Sequence, residues 1–395
     1  FILIGWRTIL ALFGRPNIGK LKDRGDINGL LKALDYRKNE TTRYEAVKAL
    51  GEIGETSVVD LFLQFLEDDE FEKKDVIVSA LGDIRDKKAV PSLVQRLRRQ
   101  TPSLSPVECS ALQKIGPFSA GPLLDLLGEK LMDTKDGIAV LSLLEKIGGA
   151  EVSEGFVKLL SLNRPALIPH LSDALGRMGV GSAVPALVEV LRSAPEESWA
   201  THVSEVLNKL DWIPADVNEQ AALSLAERNW DRLAKIGEPA EKFLLPLLRK
   251  GRSEEILKAV EILGTFGDER VAEAIAALLD DRRPDVVRSA ARVLGKIGGD
   301  TAVFPLIQIL SSAENPGVLS AVEKALLEIG EPAVFPLIDQ LNSGDPHERK
   351  TAVRLLGELG DSKALPFLID ARDDASLFPD IDAALERLGW QAPES

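Results

Sequence analysis

Residues 291–300 read ARVLGKIGGD, and close variants of this phrase recur at 46–54 (AVKALGEIG), 174–180 (ALGRMGV) and 352–360 (AVRLLGELG). We call the residue that follows the last apolar position of the LGxIG-type ending, such as Gly298 in ARVLGKIG, an anchor. The anchors are Gly54, Arg85, Gly116, Gly148, Gly179, Asp211, Gly237, Gly267, Gly298, Gly330, Gly360 and Gly389. Most are glycine, which suits the end of a helix, where the chain turns through a left-handed conformation at low steric cost. The phrase therefore predicts a helix C-terminus.

Successive anchors are 26 to 32 residues apart, which is room for two short helices and two turns. A proline follows many anchors at a similar distance. These prolines are Pro91, Pro122, Pro185, Pro305, Pro336 and Pro366. Because proline is tolerated in the first turn of a helix, each is predicted to begin the first helix of a unit whose second helix ends in the phrase. One hairpin cannot bury its own apolar stripe, so the sequence predicts an all-α fold, an α-solenoid of about twelve stacked helical hairpins.

The pattern AVPxLxxxL, a polar turn and VRxxAxxALGxIG resembles the HEAT-like repeats named after phycobilisome lyases. Residues 291–310, ARVLGKIGGDTAVFPLIQIL, come close to the ideal pattern, and the resemblance covers residues 26 to 389. Proteins with these repeats mostly act as scaffolds and adaptors, and a few are chromophore lyases or chaperones. The resemblance implies a protein that binds other proteins.

Four segments are predicted along the chain. They are an apolar N-terminal cap or anchor remnant at 1–25, a first half-array of six repeats at 26–211, an irregular junction at 212–236, and a second half-array with a C-terminal cap at 237–395. In the junction, short helices are predicted near Ala221 and from about Trp230. Trp212 and Trp230 either fill the gap left by a shortened repeat or mark a change of curvature that shapes a binding site.

The first residues, FILIGWRTILALFG, are strongly apolar but are interrupted by Arg7. They are interpreted either as a cap over the end of the array or as the remnant of a signal or membrane anchor. Since a membrane-spanning helix needs about 18 consecutive apolar residues and no stretch reaches that length, membrane association is expected only through residues 1–13. A cytoplasmic location is expected.

The net charge of −14 argues against a general affinity for nucleic acid, which requires clustered Lys and Arg. The expected partner is another protein. Cys109 is the only cysteine and is expected to be a small buried apolar residue of a helix.

Five consecutive repeats carry a cation two residues before the anchor. This basic row consists of Lys114, Lys146, Arg177, Lys209 and Lys235. It is interpreted either as a positive ridge that binds an acidic partner or as a set of cations that are each favoured locally by the dipole of the helix.

In two adjacent repeats, a carboxylate lies one helical turn before the cation of the basic row and follows a histidine by three residues. These pairs are His170 with Asp173 and His202 with Glu205. Two imidazoles and two carboxylates could bind zinc if they converged, but stacked helices lie about 10 Å apart. The four residues are therefore predicted to form surface hydrogen-bonded pairs that contribute to partner binding, and no metal or cofactor is expected. His347 is interpreted as a residue at a helix start.

The absence of a catalytic constellation favours a non-enzymatic protein-binding scaffold or adaptor that uses the concave face of the solenoid. The alternative is a maturation factor for a cofactor-bearing protein, similar to a bilin lyase or a chaperone.

Overall fold

The computed structural model describes residues 15–36, 39–67, 71–99, 104–129, 134–162, 164–266, 269–312, 314–343, 345–374 and 376–391. These residues form α-helices and short 3-10 helices, with no strand among them. They divide into two compact units, of which unit 1 ends with residues 199–213 and unit 2 consists of residues 194–198 and the chain from Pro214 onward. None of the described helices is long and apolar enough to cross a membrane, and residues 1–13 lie outside the described part of the chain.

Unit 1 consists of thirteen α-helices in the described residues. They are α1 Ile18–Asp23, α2 Ile27–Leu34, α3 Glu40–Ile53, α4 Val59–Glu67, α5 Lys74–Ile84, α6 Val90–Arg99, α7 Pro106–Ile115, α8 Ala120–Gly128, α9 Thr134–Ile147, α10 Ala150–Leu160, α11 Ile168–Arg177, α12 Val184–Ser193 and α13 Ala200–Lys209.

Unit 2 continues with twelve α-helices in the part that is described. They are α14 Val217–Ala226, α15 Trp230–Ile236, α16 Glu241–Lys250, α17 Ser253–Leu263, α18 Glu269–Ala276, α19 Pro284–Ile297, α20 Asp300–Ser312, α21 Pro316–Ile329, α22 Val334–Ser343, α23 Pro346–Leu359, α24 Leu365–Asp370 and α25 Phe378–Arg387.

Consecutive helices pair into hairpins. In unit 1 each even-numbered helix from α2 packs against the odd-numbered helix that follows it, and α14 to α25 pair in the same way in unit 2. Within each unit the second helices of successive hairpins also contact one another. The described residues thus form twelve hairpins that stack within each unit, which confirms the predicted solenoid fold. The helices α14 and α15 confirm the two helices predicted near Ala221 and Trp230. The division into half-arrays of six repeats stays a prediction.

Short 3-10 helices precede or extend several first helices. They are Thr56–Val58, Lys87–Ala89, Gly116–Ser119, Gly181–Ala183, Glu238–Ala240, Ala277–Asp280, Glu331–Ala333, Ser362–Ala364 and Ala371–Asp373.

Five of the six prolines predicted in a first turn lie within the first three residues of their helices, as Pro91 does in α6. Pro305 is the exception, because α20 begins at Asp300 and so contains the proline in its interior. The prediction was wrong at this position. No separate 3-10 turn precedes α20, and the residues that form this turn in other repeats are here the first turn of the α-helix.

The described anchors share a positive φ, but only some of them adopt the left-handed conformation that the phrase predicts. All the described anchors have a positive φ, including the two that are not glycine, Arg85 at 60° and Asp211 at 55°. Gly54 and Gly360 are left-handed, whereas Gly330, with φ 80° and ψ −129°, lies in a region that is essentially restricted to glycine. The anchor Gly267 lies outside the described residues.

Arg85 is an exposed residue in the left-handed conformation, which costs a residue with a Cβ about 1 kcal/mol relative to glycine. We expect Arg85→Gly to raise the free energy of unfolding by about 0.5–1 kcal/mol, as measured by urea denaturation. Arg85→Ala is the control, because alanine also lacks the guanidinium but keeps the Cβ. Equal stability of the two variants would contradict this explanation.

The first glycine of the ALGxIG phrase has a different role from the anchor. A Cβ built on Gly82 in α5 would lie 2.6 Å from the Cα of Ala111 in α7, and one built on Gly51 would lie 2.7 Å from the Cα of Ala80. The same close approach joins Gly295 to Ala325. Glycine at this position therefore allows consecutive second helices to pack backbone against backbone.

Candidate functional site

The basic row lies in the last turns of second helices. Lys114, Lys146, Arg177 and Lys209 belong to α7, α9, α11 and α13 of unit 1, and Lys235 belongs to α15 of unit 2. All five side chains are exposed. A cation in the last turn of a helix is stabilised by about 0.3–1 kcal/mol through the helix dipole.

Two cations of the row form ion pairs between adjacent repeats. The Nζ of Lys114 lies 2.6 Å from Oδ1 of Asp83. Arg177 donates to both carboxylate oxygens of Glu145, at 2.5 and 2.9 Å, and these hydrogen bonds lower the pKa of Glu145. Within the described residues Lys146, Lys209 and Lys235 form no ion pair. The basic row is therefore not a continuous run of unpaired charge.

The two histidine–carboxylate pairs lie on the adjacent helices α11 and α13. His170 and Asp173 are half-buried, whereas His202 and Glu205 are exposed. In the part of the chain that the structure describes, neither pair forms the side-chain hydrogen bond that the sequence predicted, and no three His, Cys, Asp or Glu side chains form a group that could hold a metal.

The two remaining residues considered in the sequence, Cys109 and His347, lie in the helices α7 and α23. Cys109 is half-buried in α7, not fully buried as predicted, and burial raises the pKa of its thiol. His347 is the second residue of α23, where its backbone N–H donates to Oδ1 of Asp345 at 2.8 Å. It is a helix-start residue, as predicted.

Unit 2 contains an open groove of about 660 Å³ that was not predicted from the sequence. It crosses three consecutive second helices, α17, α19 and α21. Leu257, Ala321 and the buried Ala325 supply apolar surface, and charged side chains from all three helices line the remainder. We call this surface the α19 groove.

The charged residues of the α19 groove differ in their local surroundings. Glu254 and Asp285 lie in the first turns of α17 and α19, and Lys258 lies 3.9 Å from Glu261 on the same helix. The other three cations lie in the middle of their helices. They are Arg288 and Arg292 on α19 and Lys324 on α21, and within the described residues they form no ion pair.

The exposed side chain of Arg288 lies beside Gly317 of the next repeat. Its Nη1 lies 3.4 Å from the position that a Cβ on Gly317 would occupy, and Gly317 also lines the groove. A Cβ at this distance would be in ordinary van der Waals contact with the guanidinium, so only a side chain longer than that of alanine would displace it. Glycine here leaves space for Arg288 at the groove surface.

A smaller groove of about 250 Å³ lies beside α21 and α23. We call it the α23 groove. It is lined by one lysine and one arginine, and both are paired. Lys350 lies 3.2 Å from Asp380. Arg354 lies 3.1 Å from Glu358 and also contacts Glu323. Unlike the α19 groove, it satisfies its charges internally.

The sequence contained a signal for the α19 groove. Six residues before successive anchors stand Glu261, Arg292, Lys324 and Arg354. In two other repeats this row is occupied by Asp173 and Glu205, each of which follows a histidine by three residues.

The first helices of unit 2 expose aromatic side chains that were also missed. Phe304 in α20 is 63% exposed and Phe335 in α22 is 56% exposed. Each precedes a proline in the segment AVFPL, where other repeats have AVPSL or AVPAL. The additional phenylalanine was the available signal for this apolar surface.

Comparison with known proteins identifies the repeats. The family model for HEAT repeats matches residues 27–105, 241–326 and 304–389. No curated protein matches the chain.

Several solved structures are similar to the chain at low sequence identity. Human deoxyhypusine hydroxylase in complex with glycerol is 17% identical, with 72% of this chain and 99% of that chain covered and a TM-score of 0.25. Kap121p bound to Ste12p is 13% identical, with 95% of this chain covered and a TM-score of 0.29, and the chain spans 50% of its length. A structure from work on a phosphorylation switch between cadherin and beta-catenin is 15% identical, with coverage of 94% and 96% and a TM-score of 0.30.

These structural similarities are too low to assign a partner or an activity. The family assignment depends instead on the repeat model, whose matches cover more than half of the chain. The matched segments contain the helices α2 to α6 of unit 1 and α16 to α25 of unit 2. The protein belongs to the HEAT-repeat family.

Proposed function

We propose that the protein is a non-enzymatic scaffold that binds another protein on the surface formed by its second helices, and that the α19 groove holds a segment of this partner. The observation that carries the proposal is an open groove across three repeats whose exposed charged side chains contribute little to the packing of the fold. In stacked repeats, such continuous surfaces are the usual binding sites.

The dimensions of the α19 groove suit an extended polypeptide. Three stacked helices with an interaxial spacing of about 10 Å span about 20 Å. An extended chain that rises about 3.3 Å per residue would cover this distance with about six residues. The mixture of apolar and charged lining residues suits a peptide, whose side chains alternate in direction along the strand.

The described residues also support a non-enzymatic role. Burial raises the pKa of Cys109, which disfavours the nucleophilic thiolate. In the part of the chain that the structure describes, His170 and His202 belong to no group of three His, Cys, Asp or Glu side chains that could hold a metal ion.

The proposal is tested by blocking the α19 groove. Ser320 is exposed in the groove, and Ser320→Trp would fill it without disturbing a buried contact. Gln308→Trp is the matched control, because Gln308 is exposed on the first helix α20. We expect affinity purification from native extract with quantitative mass spectrometry to return a stoichiometric partner with the parent and Gln308→Trp but not with Ser320→Trp. A partner that all three proteins retain would contradict binding in this groove.

The basic row, together with His170, Asp173, His202 and Glu205, stays a predicted second contact surface. Lys146→Glu with Lys209→Glu tests this surface best, because neither lysine forms an ion pair within the described residues. In the same purification, a partner lost with this double variant and retained by Ser320→Trp would place binding on the basic row.

The phycobilisome-lyase subgroup and a lyase or chaperone activity stay predictions carried only by the repeat pattern. A change in absorbance after mixing the protein with a bilin and an acceptor protein would support that alternative. A cytoplasmic location likewise stays a prediction.

A further inference from the structure

The three mid-helix cations of the α19 groove have no local explanation. In α19 the cation of the last turn is Lys296, and α21 has no cation in its last turn. Arg288, Arg292 and Lys324 lie further from the helix ends, where the dipole contributes little. Their charges are therefore not explained by helix stability.

Most of the acidic residues of the groove do have a local explanation. Glu254 and Asp285 occupy first turns, where the helix dipole favours a carboxylate. Glu261 pairs with Lys258 on its own helix. With this pair set aside, Glu254, Asp285 and Glu328 remain beside Arg288, Arg292 and Lys324, so the groove has no excess of positive charge and its three cations are distinguished by their positions.

Comparison with the α23 groove shows which carboxylates are missing. There, Lys350, ten residues before its anchor, pairs with Asp380, nine residues before the next anchor. The equivalent positions in the α19 groove are occupied by Arg288 and Ala321. The cation is present, but alanine stands where its partner would be.

The second ion pair of the α23 groove gives the same result. Arg354, six residues before its anchor, contacts Glu323, seven residues before the preceding anchor. The equivalent residues one repeat earlier are Lys324 and Ala291. The two cations that form interrepeat ion pairs in the α23 groove therefore have unpaired equivalents in the α19 groove, which are Arg288 and Lys324.

We infer that the α19 groove binds an acidic polypeptide segment, whose carboxylates pair with Arg288, Arg292 and Lys324 in place of the carboxylates that Ala321 and Ala291 lack. This inference rests on the proposed function and specifies the chemistry of the partner. Arginine binds carboxylates with two parallel hydrogen bonds, so Arg288 and Arg292, one turn apart on α19, would accept acidic side chains about one helical turn apart. Leu257 and Ala321 offer apolar contacts between them.

A nucleic acid fits this surface less well. The carboxylates of Glu254, Glu261 and Glu328 also line the groove, and they would repel a continuous phosphate backbone. The net charge of −14 adds to this repulsion. A peptide can place its acidic residues only where the cations are.

The test is selection from a random peptide library displayed on phage, with the full chain as the target. The groove variant replaces Arg288, Arg292 and Lys324 by Gln, which retains helix propensity at exposed positions. The matched control replaces Arg192, Arg249 and Lys158 by Gln, which removes the same charge from exposed positions outside both the groove and the basic row. Circular dichroism and urea denaturation verify that both variants are folded.

We expect the selected peptides to be enriched in Asp and Glu and to be excluded by Ser320→Trp. Their affinity, measured by fluorescence anisotropy, should fall about 30-fold in the groove variant, stay within about twofold in the control, and weaken with added salt. Peptides that Ser320→Trp excludes but that are not acidic and bind the groove variant equally well would overturn this inference and leave the scaffold proposal intact.

Two further outcomes are decisive. If no selected peptide is sensitive to Ser320→Trp, both the inference and the groove as a protein-binding site are wrong. If a labelled single-stranded oligonucleotide binds the parent more tightly than the peptides and loses this affinity in the groove variant, the groove recognises nucleic acid and not an acidic peptide.

Discussion

Replacing Gly82 by valine is expected to lower the free energy of unfolding by about 3 kcal/mol. A Cβ at this position would lie 2.6 Å from the Cα and 2.8 Å from the Cβ of Ala111. Because the obstructing atoms belong to the backbone and to the shortest side chain, no rotamer change can relieve the overlap. The helices α5 and α7 would have to move apart and lose contacts along their length.

Replacing Gly82 by alanine distinguishes the effect of steric overlap on stability from the effect of helix propensity. Gly→Ala in a helix interior gains up to about 1 kcal/mol of propensity, so Gly82→Ala destabilises only if the steric overlap outweighs this gain. Gly128→Ala in α8 is the control, because its nearest contact would be Leu159 at an ordinary 3.8 Å. We expect opposite signs for the two alanine variants in urea denaturation followed by circular dichroism.

A repeat protein can unfold in parts, so hydrogen exchange of α5 and α7 provides a local measurement of the same effect. Exchange should accelerate in these two helices for Gly82→Val and remain unchanged in unit 2. Parent-like stability and exchange for Gly82→Val would show that the close approach of α5 and α7 is not required.

The fold was predictable because its signals are local. Glycine or a tolerant residue at the anchor, and proline near the start of the next helix, report the backbone conformation of a few adjacent residues, as Gly54 and Pro91 illustrate. The role of Gly82 was less accessible. Its contact, Ala111, lies in the next repeat, and identifying it requires the register between two stacked helices.

The candidate site was harder to predict for the same reason. The basic row was visible as a periodic charge, but Lys114–Asp83 and Arg177–Glu145 pair across repeats, so the number of unpaired cations depends on side-chain geometry. The cations of the α19 groove lack the interrepeat ion pairs that their equivalents form in the α23 groove. This difference is visible only when the side chains of the two grooves are compared in the structure.

Arg96→Met is expected to destabilise the protein by about 3 kcal/mol at neutral pH. Arg96 donates from Nε to Oε1 of Glu108 at 2.9 Å, and this ion pair joins α6 to α7 within one hairpin. The side chain of Glu108 is 0% exposed. Removing the arginine would therefore leave a buried carboxylate without its opposite charge.

The effect should depend on pH with a defined sign. In the parent, burial acts to raise the pKa of Glu108, but hydrogen bonds from Ser105 and Arg96 and the charge of Arg96 hold the pKa below its usual range. A lowered pKa in the folded state contributes stability above the unfolded value of about 4.3, and this stability is lost as the pH falls through the folded pKa. In Arg96→Met burial would dominate and raise the pKa, so the stability of the variant should instead fall as the pH rises through that value.

The difference in unfolding free energy between parent and Arg96→Met should therefore be largest near neutral pH and shrink below about pH 4, as measured by urea denaturation across this range. Arg98→Met is the matched control, because Arg98 is 47% exposed and its ion pair with Glu129 should contribute less than about 1 kcal/mol. Adding Glu108→Gln to Arg96→Met should restore much of the lost stability, since the buried charge is then absent. If Arg96→Met and Arg98→Met cost the same at neutral pH, the Arg96–Glu108 pair contributes no more than a surface ion pair, and the hairpin of α6 and α7 is held together by its apolar contacts alone.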